Sequence, residues 1–291
     1  MYCFPGEVLE VIFTYVSTVL EKMAWADVVL FTTSGKQRKY NSEWKFINES
    51  PVFVGVFNTD AWRSLNWPRF LRRDVVISTF FDFYRKREKS TNGMFWSPAC
   101  AHIPNYDLPR DIDILTFGRI VGYPFREFEL NQLRERCMGD PEHEPFYITH
   151  RVNVKGNLYT WVEVGHSALK RYCPRSMLVQ LISRARFCVT SAQVYSARLG
   201  MPLGRYFEIT AGGAVAISER FSDSDTLGFR HGETIWFTDE TRFASDLAYL
   251  LGPFVEAEMS RNAKELIRSR HTPEIRAKEL YTFLRSKTGK E

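Results

Sequence analysis

The sequence predicts an α/β protein of two units, each with a mostly parallel, doubly wound sheet. Short, nearly continuous apolar runs alternate with segments of helical period, the pattern of strands covered on both faces by crossover helices. At 291 residues the chain exceeds what one hydrophobic core usually organises. A stretch punctuated by Pro98, Pro104 and Pro109 parts an early group of strands from a later one, so it reads as a linker.

Each element follows from local pattern. Over residues 7–25, Val8, Val11, Ile12, Tyr15, Val16, Val19, Leu20 and Met23 recur at three- and four-residue intervals, which predicts an amphipathic helix. Strands are expected at 27–31, 51–57 and 74–78, with a helical turn or two within 62–71. The second unit reads as strand 112–118, helix 126–137, strand 145–149, helix 176–185, strand 187–191, helix 205–211, strand 214–218, strand 234–237 and helix 241–251. Two helices close the chain, 255–269 and 272–286, the second capped by Thr272 with Pro273 in its first turn. The expected division is therefore 1–109, a short first unit; 110–270, the second; and 271–291, a closing helix.

Composition narrows the function classes. Apolar residues make up 44% and charged residues 25%, which excludes wholesale disorder. Length excludes a small disulfide scaffold, and five widely spaced cysteines, an odd number with no CxxC pair to suggest zinc or redox chemistry, point to a reducing compartment. The apolar stretch 8–31 is broken by Glu10, Glu21, Lys22 and Asp27, and no secretory leader pattern precedes it; the expectation is a cytoplasmic protein without a transmembrane segment. A net charge of +5 suits an anionic ligand, small or polymeric.

In an open parallel sheet, ligands sit beyond the carboxyl ends of the strands, where helix N-termini attract phosphate. Three such loops hold suitable groups: Gly118-Arg119 with Arg126, the segment from Gly200 through Gly204-Arg205 to Glu208, and Gly212-Gly213. Paired arginines can grip a diphosphate, and a carboxylate one turn into a helix suits a ribose diol.

The order Asp111-Ile-Asp-Ile-Leu-Thr-Phe-Gly-Arg119, Tyr123-Pro-Phe-Arg126, Arg205-Tyr-Phe-Glu-Ile-Thr-Ala-Gly-Gly-Ala-Val-Ala-Ile217, Phe229-Arg-His-Gly-Glu233 and Arg270-His-Thr-Pro-Glu-Ile-Arg276 resembles the GT-B glycosyltransferases of the CgeB-like, group 1 type. That resemblance implies two Rossmann-like domains with a cleft between them, the N-terminal one short. The C-terminal domain would hold a nucleotide-diphosphate sugar and the N-terminal one an acceptor hydroxyl on a glycan, glycoprotein or small molecule. Transfer would be metal-independent and retaining, with no cofactor. By the same resemblance Arg119 and Arg126 face the donor diphosphate, Gly204 and Arg205 line the phosphates, Gly212 belongs to the same donor segment, and Glu208 holds the ribose. The last helix would return toward the N-terminal domain.

Alternatives stand beside these assignments. Arg119 and Arg126 also read as surface arginines, Glu208 as a solvated helix residue and Gly212-Gly213 as a helix C-cap. Asp60, at the end of the second strand, is the candidate base should transfer invert, or else a turn aspartate. His102 and His166 are candidates to meet the sugar or the moving proton, or else loop histidines. Asp223-Ser-Asp225 reads as an N-cap rather than a metal site. Gly200 stands where the family often has a first glutamate, which raises a second reading, a degenerate relative that binds glycan or nucleotide without turnover. Basic clusters at 69–73 and 85–89 among aromatic residues raise a third, a nucleic-acid binder, against which acidic interruptions and the absence of a recognised module weigh. They equally suit peripheral contact with an anionic membrane surface.

Overall fold

The computed structural model describes residues 2–4, 7–9, 28–32, 46–49, 53–58, 74–78, 93–95, 108–118, 123–165, 173–191, 204–252 and 256–288. Asp60, His102, Arg119 and His166 lie outside the described residues, as do the basic clusters at 69–73 and 85–89 and most of the helix expected over 7–25.

In the first unit, β1 (Tyr2–Phe4) and β2 (Glu7–Leu9) pair antiparallel with Phe4 opposite Glu7. Residues 7–9 are thus a strand and not the start of a helix. The turn-forming dipeptide Pro5-Gly6 separates the two strands in sequence, a local signal that outranks helical periodicity. After these come β3 (Val28–Thr32), the short helix α1 (Phe46–Glu49), β4 (Phe53–Asn58), β5 (Val75–Ser78) and β6 (Gly93–Phe95). The strands β3 to β6 form a four-stranded, all-parallel sheet in chain order. Asp74 pins β5 to β4, its carboxylate accepting from the Val54 N–H at 2.7 Å while its own N–H donates to the Val54 carbonyl. The expected strands 27–31, 51–57 and 74–78 are all present, and β6 adds a fourth.

The second unit is β7 (Ile112–Phe117), α2 (Pro124–Arg134), β8 (Cys137–His143), β9 (Tyr147–Val154), β10 (Asn157–Val164), α3 (Arg175–Arg184), β11 (Ala185–Val189), α4 (Gly204–Gly212), β12 (Val215–Ser218), α5 (Ser224–Leu227), β13 (Trp236–Phe237), α6 (Phe243–Leu250), α7 (Glu256–Arg270) and α8 (Pro273–Thr288). Its seven strands lie in the order β13-β12-β11-β7-β10-β9-β8. The five from β13 to β10 are parallel, and β9 and β8 extend the sheet antiparallel.

That antiparallel margin corrects the expected plain alternation of strand and helix. The single strand expected over 145–149 is the middle of a meander, because Lys155-Gly156, at φ 51° and 84°, turns the chain tightly between β9 and β10. At the open edge, β8 carries Gly139 and Pro141 and shifts register between Met138 and Glu142. An edge strand tolerates a proline, and the irregularity blunts further pairing.

Successive residues of the central strands feed two cores. Leu115, Phe117, Val162, Val164, Cys188 and Ala216 face one side with Ile182, Tyr206, Phe207 and Ile209 from α3 and α4. Ile114, Trp161, Phe187, Val189, Val215 and Ile217 face the other with Leu130, Leu133, Phe243 and Leu247 from α2 and α6. Helices therefore cover both faces, as the near-continuous apolar strands require.

The corner between α7 and α8 is locked by His271, which donates from Nε2 to the Leu227 carbonyl at 2.8 Å and accepts at Nδ1 from Arg276. Thr272 Oγ1 accepts from the Ile275 N–H, as expected of a cap. Beyond the corner, Ile275, Lys278, Thr282 and Phe283 of α8 line a cavity of about 510 Å³ together with Met94 of β6. Among the described residues no helix is long and apolar enough to cross a membrane.

Candidate functional site

The strand order places a switch point at β7. From β7 the chain proceeds through α2 to β10 on one side, then crosses by α3 to β11 on the other. The segments leaving β7 and β11 consequently diverge to opposite faces of the sheet, opening a crevice at their carboxyl ends. Gly118 lies at this point, immediately after β7.

Two guanidinium groups converge there from opposite faces. Arg126 belongs to the first turn of α2 and Arg205 to the first turn of α4. A Cβ added to Gly118 would meet Arg126 Nη1 at 3.3 Å and Arg205 Nη1 and Nη2 at 3.6 and 3.7 Å. Gly118 has φ 95°, a backbone conformation open to glycine, and a Cβ on Gly165, at the end of β10, would lie 3.5 Å from the Gly118 carbonyl oxygen. Neither of these two close-packed glycines places a side chain against the arginine heads.

Arg126 is buried and Arg205 half-buried, and both are underused. Arg126 is 1% exposed and donates from Nη2 to the Phe117 carbonyl, while its Nε and Nη1 have no hydrogen-bond partner. Burial first, and Arg205 second, lower its pKa to about 10, so it stays charged at neutral pH. Arg205 lies over the Tyr123 ring at 5.3 Å, and its Nη1 is also without a partner. An unpaired buried donor costs about 1–3 kcal/mol, more when charged, so several beside one another mark a place built for an anion.

Hydroxyls join them from β11. Val189 pairs with Thr116, so continuing that register brings Ser191 level with Gly118. The side-chain oxygens of Thr190 and Ser191 are buried and have no hydrogen-bond partner. Behind lies an acidic layer. Glu129 of α2 is fully buried, both its oxygens without a partner, and Glu219 follows β12. Burial above all, reinforced by Glu219 and opposed by Arg126, pushes the Glu129 pKa well above the ordinary carboxyl range. Tyr206 shares a 3.0 Å hydrogen bond with Ser218, and burial raises its pKa as well.

Of the residues singled out from sequence, the fold brings Arg126 and Arg205 together. Gly204 opens α4 and is exposed, so the helix N-terminus it begins points to solvent at the crevice. Glu208 follows Arg205 by three residues on α4 and accepts from Arg175 at 2.8 Å, its side chain 26% exposed. Gly212 sits at the other end of α4, where a Cβ would lie 2.4 Å from Ile182 Cγ2. Its place is in the packing of α4 on α3, apart from the arginine pair, and Gly213 with φ 86° ends the helix.

Asp223 occupies the N-cap position of α5, as expected, without a side-chain capping hydrogen bond. Asp225 pairs with Arg220. No three His, Cys, Asp or Glu among the described residues cluster as a metal site would require.

Glu129, Thr190, Ser191 and Glu219 escaped sequence reasoning. One signal for Glu129 was available: with Arg126 it occupies the same stripe of α2 as the buried Leu130 and Leu133, two charged residues where apolar ones belong.

The profile of a family described as glycosyl transferase-like matches residues 126–282, more than half of the chain. No curated protein matches the chain in sequence. Solved structures share its fold. Sucrose-phosphate synthase from Thermosynechococcus elongatus aligns at TM-score 0.60 and 12% identity, over 93% of this chain and 76% of its own. HepE from Anabaena, in complex with UDP and glucose, aligns at TM-score 0.61 and 10% identity, over 93% of this chain and 81% of its own. The pneumococcal O-GlcNAc transferase GtfA, in complex with UDP and GlcNAc, aligns at 0.58 and 10%, over 95% of this chain and 60% of its own. At such identities the likeness is one of fold, the GT-B architecture.

Proposed function

The chain belongs to the glycosyl transferase-like family, and from that membership we propose that it moves a sugar from a nucleoside diphosphate donor to an acceptor hydroxyl. The observation that carries this reading is the convergence of Arg126 and Arg205 beside Gly118, with buried N–H groups left unclaimed at the switch point of the sheet. A diphosphate supplies the acceptors those donors lack.

Binding comes first. Arg126 and Arg205 hold the diphosphate from opposite faces, with the Ser191 hydroxyl and the N-terminus of α4 at Gly204 completing the cradle. Glu208, one turn further on, takes the ribose diol, sharing its carboxylate between the sugar and Arg175. In the reaction the bond between the anomeric carbon and the donor phosphate oxygen breaks, and the electron pair leaves with the nucleoside diphosphate. The acceptor oxygen bonds to the anomeric carbon, and its proton passes to the departing phosphate, which gives retention without a protein base. Guanidinium groups fixed in a buried setting stabilise the charge that develops on the leaving diphosphate, the part a metal ion plays elsewhere.

Residues 1–109 would present the acceptor; Asp60 and His102 from that unit and His166 from the second are the groups nearest in role to the transferring proton or sugar hydroxyls. The cavity shared by α8 and Met94 supports a closing helix that couples the two units. The run from Arg205 to Ile217 supports kinship with the CgeB-like members.

Calorimetric titration with UDP and GDP tests this. We expect one of them to bind, and Arg126→Ala and Arg205→Ala each to weaken binding about ten- to a hundredfold, the worth of a charge-assisted contact of about 1.5–3 kcal/mol. No binding of either nucleotide, or variants that bind like the wild type, would refute it. Binding without turnover of any nucleotide sugar would favour the degenerate relative.

A further inference from the structure

Glu129 lies one helical turn beyond Arg126 on α2, fully buried. A buried carboxyl beside a guanidinium with spare N–H groups ordinarily accepts from it. Here neither Glu129 oxygen has a partner, and neither do Arg126 Nε and Nη1. Arg126 instead directs Nη1 toward the space a Cβ on Gly118 would fill, where Arg205 also arrives. Acid and base thus share one helix face in a single buried cluster and leave each other unpaired.

We propose that Glu129 is a positioning residue whose proton governs the anion site: neutral, it leaves Arg126 to the ligand, and ionised, it draws Arg126 back as its own counterion. This rests on the reading that the site takes a diphosphate, and adds to it a coupling between binding and one proton.

The surroundings favour the neutral form in the open site. Facing Glu129 are Arg126 on its own helix, Glu219 from the segment after β12, and Tyr206, next to Arg205, from α4. Glu163 of β10 reaches the same cluster through Arg126. Glu163 pairs with Arg134, and Glu219 is a near negative charge that opposes ionisation of Glu129. A bound diphosphate adds further negative potential and favours the proton again. The sign follows: affinity is highest below the titration of Glu129 and falls as pH rises through it, at a limiting tenfold per pH unit when one proton is taken up.

The experiment measures UDP affinity between about pH 5 and pH 9 for the full chain and for Glu129→Gln, which keeps the shape of the neutral carboxyl and cannot ionise. The ratio of the two affinities cancels the titration of UDP itself, whose terminal phosphate changes charge near pH 6. We expect a ratio near one at the acid end and a progressive loss of wild-type affinity as pH rises, while Glu129→Gln follows UDP alone. A ratio independent of pH would overturn the proposal and leave the diphosphate site standing. Loss of UDP binding by both proteins at every pH would overturn the two together.

Should Glu129→Gln not fold, the wild type still decides. Calorimetry above pH 7 in buffers of different ionisation enthalpy should show proton uptake on binding UDP that climbs toward one, and binding without uptake would refute the coupling.

Discussion

At Gly118 a missing side chain sets the geometry. Its φ of 95° excludes most residues, and the space a Cβ would fill is bounded by Arg126 Nη1 at 3.3 Å. Gly118→Ala should lower stability by about 1–3 kcal/mol through backbone strain and should weaken UDP binding by displacing a guanidinium. A thermal melt and a titration of the same sample check both effects; unchanged UDP affinity would show that this approach is not part of the site. Arg126 and Arg205 could be singled out because charged residues at strand ends and helix starts are where a parallel sheet binds anions. The buried oxygens of Thr190, Ser191 and Glu129 were not, since a lone hydroxyl or carboxyl has no sequence pattern until its neighbours are known. Gly212 shows the converse. Its neighbourhood in sequence suited a ligand, but the close approach of Ile182 gives it to helix packing.

Among the elements, strands β3, β4, β5, β7, β11 and β12 and all the long helices follow from periodicity, because burial on one face or two leaves a mark every second or every third to fourth residue. The meander is where that reading broke. β8 is exposed, irregular and interrupted by Pro141, so it carries no apolar mark, and β9 and β10 are longer than their most apolar segments.

The α7–α8 corner gives a prediction at the same scale. Burial, aided by Arg276 and Arg270 and opposed by the hydrogen bond to Leu227, lowers the His271 pKa from 6.5 to about 4. The folded protein therefore holds His271 neutral while the unfolded chain protonates it below 6.5, so its contribution is full above that pH and is lost as pH falls toward 4. The difference is worth about 3 kcal/mol. Denaturant unfolding at pH 7 and at pH 4.5 should show a steeper loss of stability in the wild type than in His271→Gln, which does not titrate; equal losses would contradict the assignment.

Across the whole molecule, the proposed transfer calls for a cleft that closes between the two units. If α8 couples the domains over the cavity it shares with Met94, then UDP bound at Gly118 should favour a compact form. Solution X-ray scattering should record a smaller radius of gyration with saturating UDP than without, and no such change in Arg126→Ala. An identical scattering profile with and without nucleotide would count against a closing cleft. Amino-acid order alone determined the α/β class, most of the parallel strands and the individual arginines, because periodic burial and terminal charge are local properties of the chain. Only the tertiary structure decided that the sheet reverses at β7, that Arg126 and Arg205 meet there from opposite faces, and that Glu129 lies unpaired behind them. Those facts depend on strand order and side-chain proximity between segments distant in sequence, which no local spacing encodes.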